Sequence, residues 1–297
     1  MCICQSIGKT TLQQTKIIKA YGYTFFREEK VMPKSTKYVA KVADARGHIA
    51  YTVKEDAVWA DLYAAQEKNV QRYMARDYLA GLERLELPKT RVPSCVDISE
   101  RLMDMTGWRV QPVPALIGFK TFLGMLADRV FPAASFIRSR EDFDYIEEPD
   151  IFHEIFGHTP LLSDPRFAAF SHAIGKAGVQ AGDKDYSWLI RLYWFSIEFG
   201  LRRQDGEIKA LGSGLASSPT ELVYSVESDI PDRDPFDILT ILRTPYRIDM
   251  HQMGYFVLNS PEELFAAADR DLLADVRQAQ SLGLLPNKFP EKATAAE

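Results

Sequence analysis

Between Tyr186 and Gln204 the spacing predicts one long helix whose apolar positions almost encircle it: Trp188, Leu189, Ile190, Leu192, Tyr193, Trp194, Phe195, Ile197 and Phe199. A helix apolar on every side belongs at the centre of a fold, with the other elements packed around it. One acid, Glu198, stands within it between Ile197 and Phe199. An ionised carboxylate buried there without a partner would be strongly unfavourable. It therefore requires a metal, an arginine or a shared proton.

The stretch from Glu148 to Pro160 offers partners, since it holds two of the five histidines, His153 and His158. Pro149 suits a first helical turn, and Gly157 with Pro160 suits an end, so a short helix stopping at Gly157 is expected. Five residues along an ideal helix is a rotation of about 140° beyond a full turn, so two rings on one straight helix would diverge. A break at Gly157 would swing His158 back beside His153. The His-Glu-x-x-His pattern of zinc proteases keeps its histidines four apart on one face, one residue closer than here. The bland alternative is a pair of core histidines satisfied by hydrogen bonds. Two neutral imidazoles and one carboxylate on one face of an ion leave its other positions open, which suits non-heme Fe(II). Zinc is the rival metal, and Glu154 or Asp150 would serve to anchor the imidazoles.

The 297 residues suffice for one large domain or two small ones, and 46% apolar content supports a sizeable core. The net charge of -5, with Lys and Arg dispersed, recommends neither nucleic acid nor an anionic membrane as partner. No apolar run approaches the length of a membrane span. Three cysteines (Cys2, Cys4 and Cys95) cannot form a full disulfide framework, so a reducing cytoplasm is expected. Residues 1–50 lack periodicity and are expected to form a poorly ordered N-terminal arm, in which Met32 offers an alternative translation start. Helical spacing begins at Lys54 and continues through Val58, Trp59, Leu62, Val70, Tyr73, Tyr78 and Leu85 toward Pro88. Asp97 with Glu100 resembles a capping box, closed by Gly107. Trp108 to Pro114 reads as extended and Phe119 to Ala127 as a helix. Ser163 or Asp164 caps a helix running to about Lys176. Asp205-Gly206 reads as a turn, Glu207 to Leu211 as a strand, and Gly212-Ser213-Gly214 as a small-residue loop. Ser218 to Glu221 forms a capping box, Tyr255 to Leu258 a strand, and Ser260 opens a last helix to about Gln280. No repeat or linker divides residues 51–297.

Three strings bring a family into view: Glu148-Pro149-Asp150 through His158; Leu192-Tyr193-Trp194-Phe195-Ser196-Ile197-Glu198-Phe199-Gly200-Leu201; and Ile208 through Ser218. In these the chain resembles the tetrahydropterin-dependent aromatic amino acid hydroxylases, most closely the bacterial-type members that hydroxylate phenylalanine. The resemblance implies a mainly α fold with a few short β-strands, the catalytic-domain fold of that family, over residues 51–297. It implies Fe(2+) held by His153, His158 and Glu198, and tetrahydrobiopterin or a related tetrahydropterin as cofactor. Phe122, Leu123, Glu154 and Tyr193 match pterin contacts. Arg138, Trp194, Ser217, Tyr246 and Ile248 match substrate contacts, with Arg138 on the amino acid carboxylate. Ser217 and Glu154 match groups close to the chemistry. Without the resemblance, Phe122, Tyr193 and Trp194 would read as core and Arg138 as a surface ion pair. The implied reaction takes L-phenylalanine, O2 and the tetrahydropterin to L-tyrosine. Tryptophan 5-hydroxylation is the family alternative, and zinc hydrolysis with Glu154 as base the alternative outside it. Two departures stand out: Ile146-Glu147 where many animal members carry Thr-Pro, and Pro132 in place of a histidine near the pterin. A compact catalytic-domain enzyme is expected, monomeric and cytoplasmic, without a regulatory domain or C-terminal coiled coil.

Overall fold

The computed structural model describes residues 37–114, 117–144, 146 and 148–290. The rest of the expected arm, with Met32, lies outside the described residues. Residues 37–50 have no regular secondary structure and lie against the domain: the Tyr38 ring stacks on Phe136 at 4.7 Å, and Lys41 N donates to Ser135 Oγ at 2.9 Å.

The chain is mainly helical with short strands, as expected. Helix α1 (Val53–Tyr73) opens on Thr52, whose hydroxyl accepts from Glu55 N while the Glu55 carboxylate returns to Thr52 N at 2.7 Å. This reciprocal cap satisfies donors the helix start leaves unpaired. The helical run expected toward Pro88 is two helices. Met74 and Ala75 are extended, and Ala75 N donates to Ala210 O at 2.7 Å before α2 (Arg76–Leu85) begins. A tertiary backbone bond competes there with a local one. Helix α3 (Cys95–Thr106) is capped by Ser94 rather than Asp97, which falls in its first turn, and Gly107 at φ 73° ends it.

Strand β1 (Arg109–Val113), helix α4 (Phe119–Ala127) and strand β2 (Val130–Ala134) follow, the strands pairing in parallel with Val110 opposite Phe131. After Pro149 the chain becomes helical and does not stop at Gly157. It passes through a π turn, His153–His158, into α5 (Thr159–Leu162). Helix α6 (Pro165–Gln180), capped by Asp164, runs past the expected end near Lys176. Gly175 and Gly178 are close-approach positions against α4, not stop signals. A Cβ at Gly175 would lie 2.3 Å from Ala127 N, and one at Gly178 would lie 2.5 Å from Leu123 Cβ.

The central helix is shorter than its apolar run. Helix α7 (Asp183–Tyr193) leads into a second π turn, Trp194–Glu198, and the residues expected to end the helix form β3 (Leu201–Gln204). The chain turns at Asp205 and Gly206, both at positive φ, into antiparallel β4 (Glu207–Ala210). Pairing with β4 and with the strand at Gly254–Leu258 outweighs continued helix. Helices α8 (Ser213–Ser217) and α9 (Pro219–Glu227), strand β5 (Asp232–Pro235), helix α10 (Ile238–Arg243) and strand β6 (Gly254–Leu258) complete a sheet of order β4-β3-β6-β5. The expected last helix is also two, α11 (Pro261–Ala268) and α12 (Leu272–Leu282), because Asp271 caps a fresh start on Ala274 N. Among the described residues no helix is long and apolar enough to cross a membrane. The core takes in residues of both π turns, among them Phe156 and Phe195, and Phe152 stacks on Phe156 at 4.7 Å and meets Trp59 edge-on.

Candidate metal centre

The first π turn brings His153 and His158 together without a helix break. Its i→i+5 register places residues five apart over one another, so the rings meet at 4.8 Å and the Nε2 atoms at 3.1 Å. Tyr78 Oη donates to Phe156 O within the wider turn, and Ile155 O accepts from both N and Oγ1 of Thr159 at its end. Gly157 is required by packing rather than as a stop, since a Cβ there would sit 2.7 Å from Ser213 O on α8.

The second π turn, marked by Phe199 N donating to Trp194 O at 2.8 Å, delivers the acid. Glu198 Oε2 lies 3.0 Å from His158 Nε2, and Oε1 lies 3.4 Å from His153 Nε2. Among the described residues these three form the group able to hold a metal, with one ligand atom each inside a 4.8 Å span. The buried acid thus finds the imidazoles on which its ionisation depends. Burial works to raise the Glu198 carboxyl; charge on the imidazoles and the Ser213 hydroxyl bring it below its ordinary value, and where an imidazole is neutral that charge would have to come from a bound cation. Burial pushes His153 down to about 4, which leaves the ring neutral with a lone pair to offer. Ser217 Oγ, 2.8 Å from His153 Nδ1, itself donates to Gly214 O. It therefore accepts from Nδ1–H and leaves Nε2 as the free donor atom. The donor set of two imidazoles and one carboxylate, with no thiolate, fits ferrous iron.

Ser213, expected in a small-residue loop but found as the first residue of α8, is a site residue that sequence reasoning missed. Its hydroxyl lies 3.0 Å from Glu198 Oε2, 3.0 Å from Ile197 O and 3.2 Å from His158 Nε2. The flanking glycines were the available signal. A Cβ at Gly214 would lie 2.6 Å from Glu198 Oε1, and one at Gly212 would lie 2.2 Å from Glu198 O. Only a backbone without side chains lets α8 press this closely on the acid.

Arg138 is buried, not a surface cation. Its Nε and Nη2 grip Asp150 at 2.8 and 2.9 Å, while Asp150 also accepts from the backbone N–H of Arg138 and of His153. Burial raises the Asp150 carboxyl, and Arg138 with these N–H groups more than reverses that. Asp150 thus anchors the start of the π turn through backbone rather than through an imidazole. Glu154 faces away from such help: burial raises its carboxyl well above the ordinary range, opposed mainly by the Ala134 N–H.

Phe131, which the sequence did not single out, covers one of the imidazoles, and the remaining expected residues differ in burial. Phe131 tilts over the His158 ring at 4.5 Å. Phe122, half-buried, meets Tyr193 edge-on at 5.5 Å, whereas Leu123 is fully buried against Gly178 of α6. Trp194 stacks on Tyr246 at 4.4 Å and leans on Phe199 at 4.6 Å. Ile248, in the loop between α10 and β6, is 57% exposed, so its side chain is largely outside the core.

Residues 19–273 match the model of a family described as biopterin-dependent aromatic amino acid hydroxylase. The chain is 48% identical over 257 residues to a phenylalanine-4-hydroxylase of Vibrio cholerae, covering 86% of this chain and 89% of that relative. The structure resembles the apo form of a cold-active phenylalanine hydroxylase from Colwellia psychrerythraea, with a TM-score of 0.83 and 44% identity over 87% of this chain and 100% of that one. It also resembles a phenylalanine hydroxylase of Chromobacterium violaceum solved with iron(III) and oxidized cofactor 7,8-dihydrobiopterin, with a TM-score of 0.76 and 38% identity over 82% of this chain and 88% of that one.

Proposed function

We propose that this chain, which belongs to the biopterin-dependent aromatic amino acid hydroxylase family, converts L-phenylalanine, O2 and a tetrahydropterin into L-tyrosine and a hydroxylated pterin. The observation that carries the reading is the convergence of His153, His158 and Glu198 on one side of a single position. Bound there, ferrous iron together with the reduced pterin would supply the oxygen activation and electrons that the protein's own side chains cannot.

The chain's residues would do the rest. His153 and His158 would each present a ring nitrogen and Glu198 a carboxylate oxygen to the iron. Ser217 fixes the His153 tautomer, and Ser213 holds the Glu198 carboxylate in place. Asp150 takes Nε and Nη2 of Arg138, leaving Nη1 with one long contact, 3.4 Å to Phe143 O. That nitrogen is the donor we assign to the substrate carboxylate. The stacked pair Trp194 and Tyr246 supplies a flat wall for the substrate ring. Ser217 is the last residue of α8 and touches the ligand His153, and we assign it a contact with substrate as well. Phe122 supplies the stacking face for the pterin, backed by Leu123 and Tyr193, with Glu154 beside it. Ile248 gives the mouth an apolar residue, in keeping with phenylalanine rather than a hydroxylated ring. Residues 51–297 constitute the catalytic domain in this reading, preceded by the arm 1–50, and the enzyme works as a cytoplasmic monomer on small molecules.

An aerobic assay with Fe(II), reduced tetrahydropterin and each aromatic amino acid in turn tests the proposal. Tyrosine formed from phenylalanine is the expected result, and 5-hydroxytryptophan as the dominant product would overturn the substrate. His153→Ala or Glu198→Ala should lose iron and hydroxylation together. Retained activity alongside a stoichiometric loss of iron would refute the centre.

A further inference from the structure

Gln252 sits where two parts of the site meet. It lies in the loop between α10 and β6, two residues before β6, and is 1% exposed. Its side-chain oxygen accepts from Trp194 Nε1 at 3.2 Å. Its amide nitrogen donates to Arg247 O at 2.6 Å and faces Met250 O at 3.4 Å. Its backbone N–H donates to Glu221 Oε1 at 2.7 Å, an oxygen that also accepts from Tyr255 Oη at 2.9 Å. Both ends of the amide are thus used, which sets the way it faces. The Glu221 bond fixes the backbone from which it projects.

The contacts of Trp194 explain why such a tie matters. Its ring lies on Tyr246 at an interplanar angle of 26° and against Phe199 at 39°. Stacking resists tilting but leaves a ring free to slide and turn in its own plane, because dispersion contacts have little direction. One N–H···O bond at the ring edge removes that freedom. Trp194 also opens the π turn that ends on Glu198, while the Gln252 side chain holds the loop that carries Tyr246. A single side chain therefore sets the substrate wall in register with the turn bearing a metal ligand.

We infer that Gln252 is a positioning residue that holds the Trp194 indole at the in-plane angle needed to receive the substrate ring. This rests on the reading of Trp194 as a substrate wall. It predicts an effect on the amino acid that the pterin does not share, since among the described residues no hydrogen bond or ring contact joins the Phe122 or Tyr193 side chain to Trp194, Tyr246 or Gln252.

The test is Gln252→Met in the full chain, a residue of similar length that can neither accept from the indole nor donate to Arg247 O. In 15N-labelled protein the Trp194 indole N–H signal, assigned by its loss in Trp194→Phe, should shift and exchange faster with solvent. KM for phenylalanine should rise about tenfold, the size of one lost hydrogen bond. The KM for tetrahydropterin and kcat should stay within about twofold. In a Trp194→Phe background, Gln252→Met should add less than about twofold, because the two act as one unit. An unchanged indole signal, a parallel rise in pterin KM, or effects that multiply in the double variant would overturn the inference. If the unaltered protein turned over no phenylalanine, the functional reading would fail, while the indole signal would still decide whether Gln252 holds Trp194.

Discussion

Replacing Glu221 by glutamine should change how stability depends on pH. Glu221 is 6% exposed, and burial raises its carboxyl to about 7, opposed by the Gln252 N–H and the Tyr255 hydroxyl. The unfolded chain releases this proton near the ordinary value of 4.5. Below that pH both states are protonated and the burial carries no ionic cost. As pH rises from there to about 7, the folded state retains a proton that the unfolded chain has lost, so stability falls through this window and levels off above it. At about 1.36 kcal/mol per pH unit the full loss is about 3 kcal/mol. Glutamine keeps an oxygen for Gln252 N and Tyr255 Oη but does not titrate. Urea unfolding of both proteins, stripped of metal with chelator, would measure the difference from about pH 5 to about pH 8. The glutamine variant should gain on the parent steadily as pH rises, approaching about 3 kcal/mol at the alkaline end. Stabilities that run parallel across this range would refute the argument, because every other titrating group is common to both proteins.

Three further outcomes test the centre and its supports. Ser213→Ala removes the hydroxyl beside Glu198 Oε2 and should weaken iron binding about tenfold or more, read by competition with a chromogenic chelator. An unchanged affinity would show that Ser213 is mere packing. Gly157→Ala would press a methyl to 2.7 Å from Ser213 O, and should cost about 1–3 kcal/mol in unfolding and loosen iron in step. Asp150→Asn leaves the Arg138 guanidinium buried without its anion and should cost about 3 kcal/mol or more, raising KM for phenylalanine more than it changes kcat. Wild-type stability in that variant would contradict the pairing.

The sequence read well wherever the signal was local or chemical. Phe119 to Ala127 has the same bounds in the fold as in the periodicity, and the Asp205-Gly206 turn and the β6 strand stand where their residue types put them. The acid at Glu198 announced its need for partners because an apolar helix has no other use for a carboxylate, and the neighbouring strings named the family. What could not be read was decided by contacts between distant segments. Met74 and Ala75 leave the helix for a bond to Ala210, and residues after Glu198 leave it for pairing with β4 and β6. Arg138 and Ile248 exchanged the burial that their chemistry suggests, because Asp150 supplies a buried anion for the first and the loop before β6 lies at the surface.

The two histidines show where the division falls. Composition singled out His153, His158 and Glu198 as candidates, the family resemblance implied that they bind iron, and the fold brings their ligand atoms within 4.8 Å of one another. A spacing of five residues, however, is ambiguous in sequence, since either a broken α-helix or an unbroken π turn superimposes the rings. Packing chose the π turn: α8 presses on Gly157, while Tyr78, 78 residues away along the chain, donates to Phe156 O. The sequence alone determined which atoms would meet. The tertiary structure decided how the backbone carries them there, because the stability of a π register depends on neighbours that lie far away along the chain.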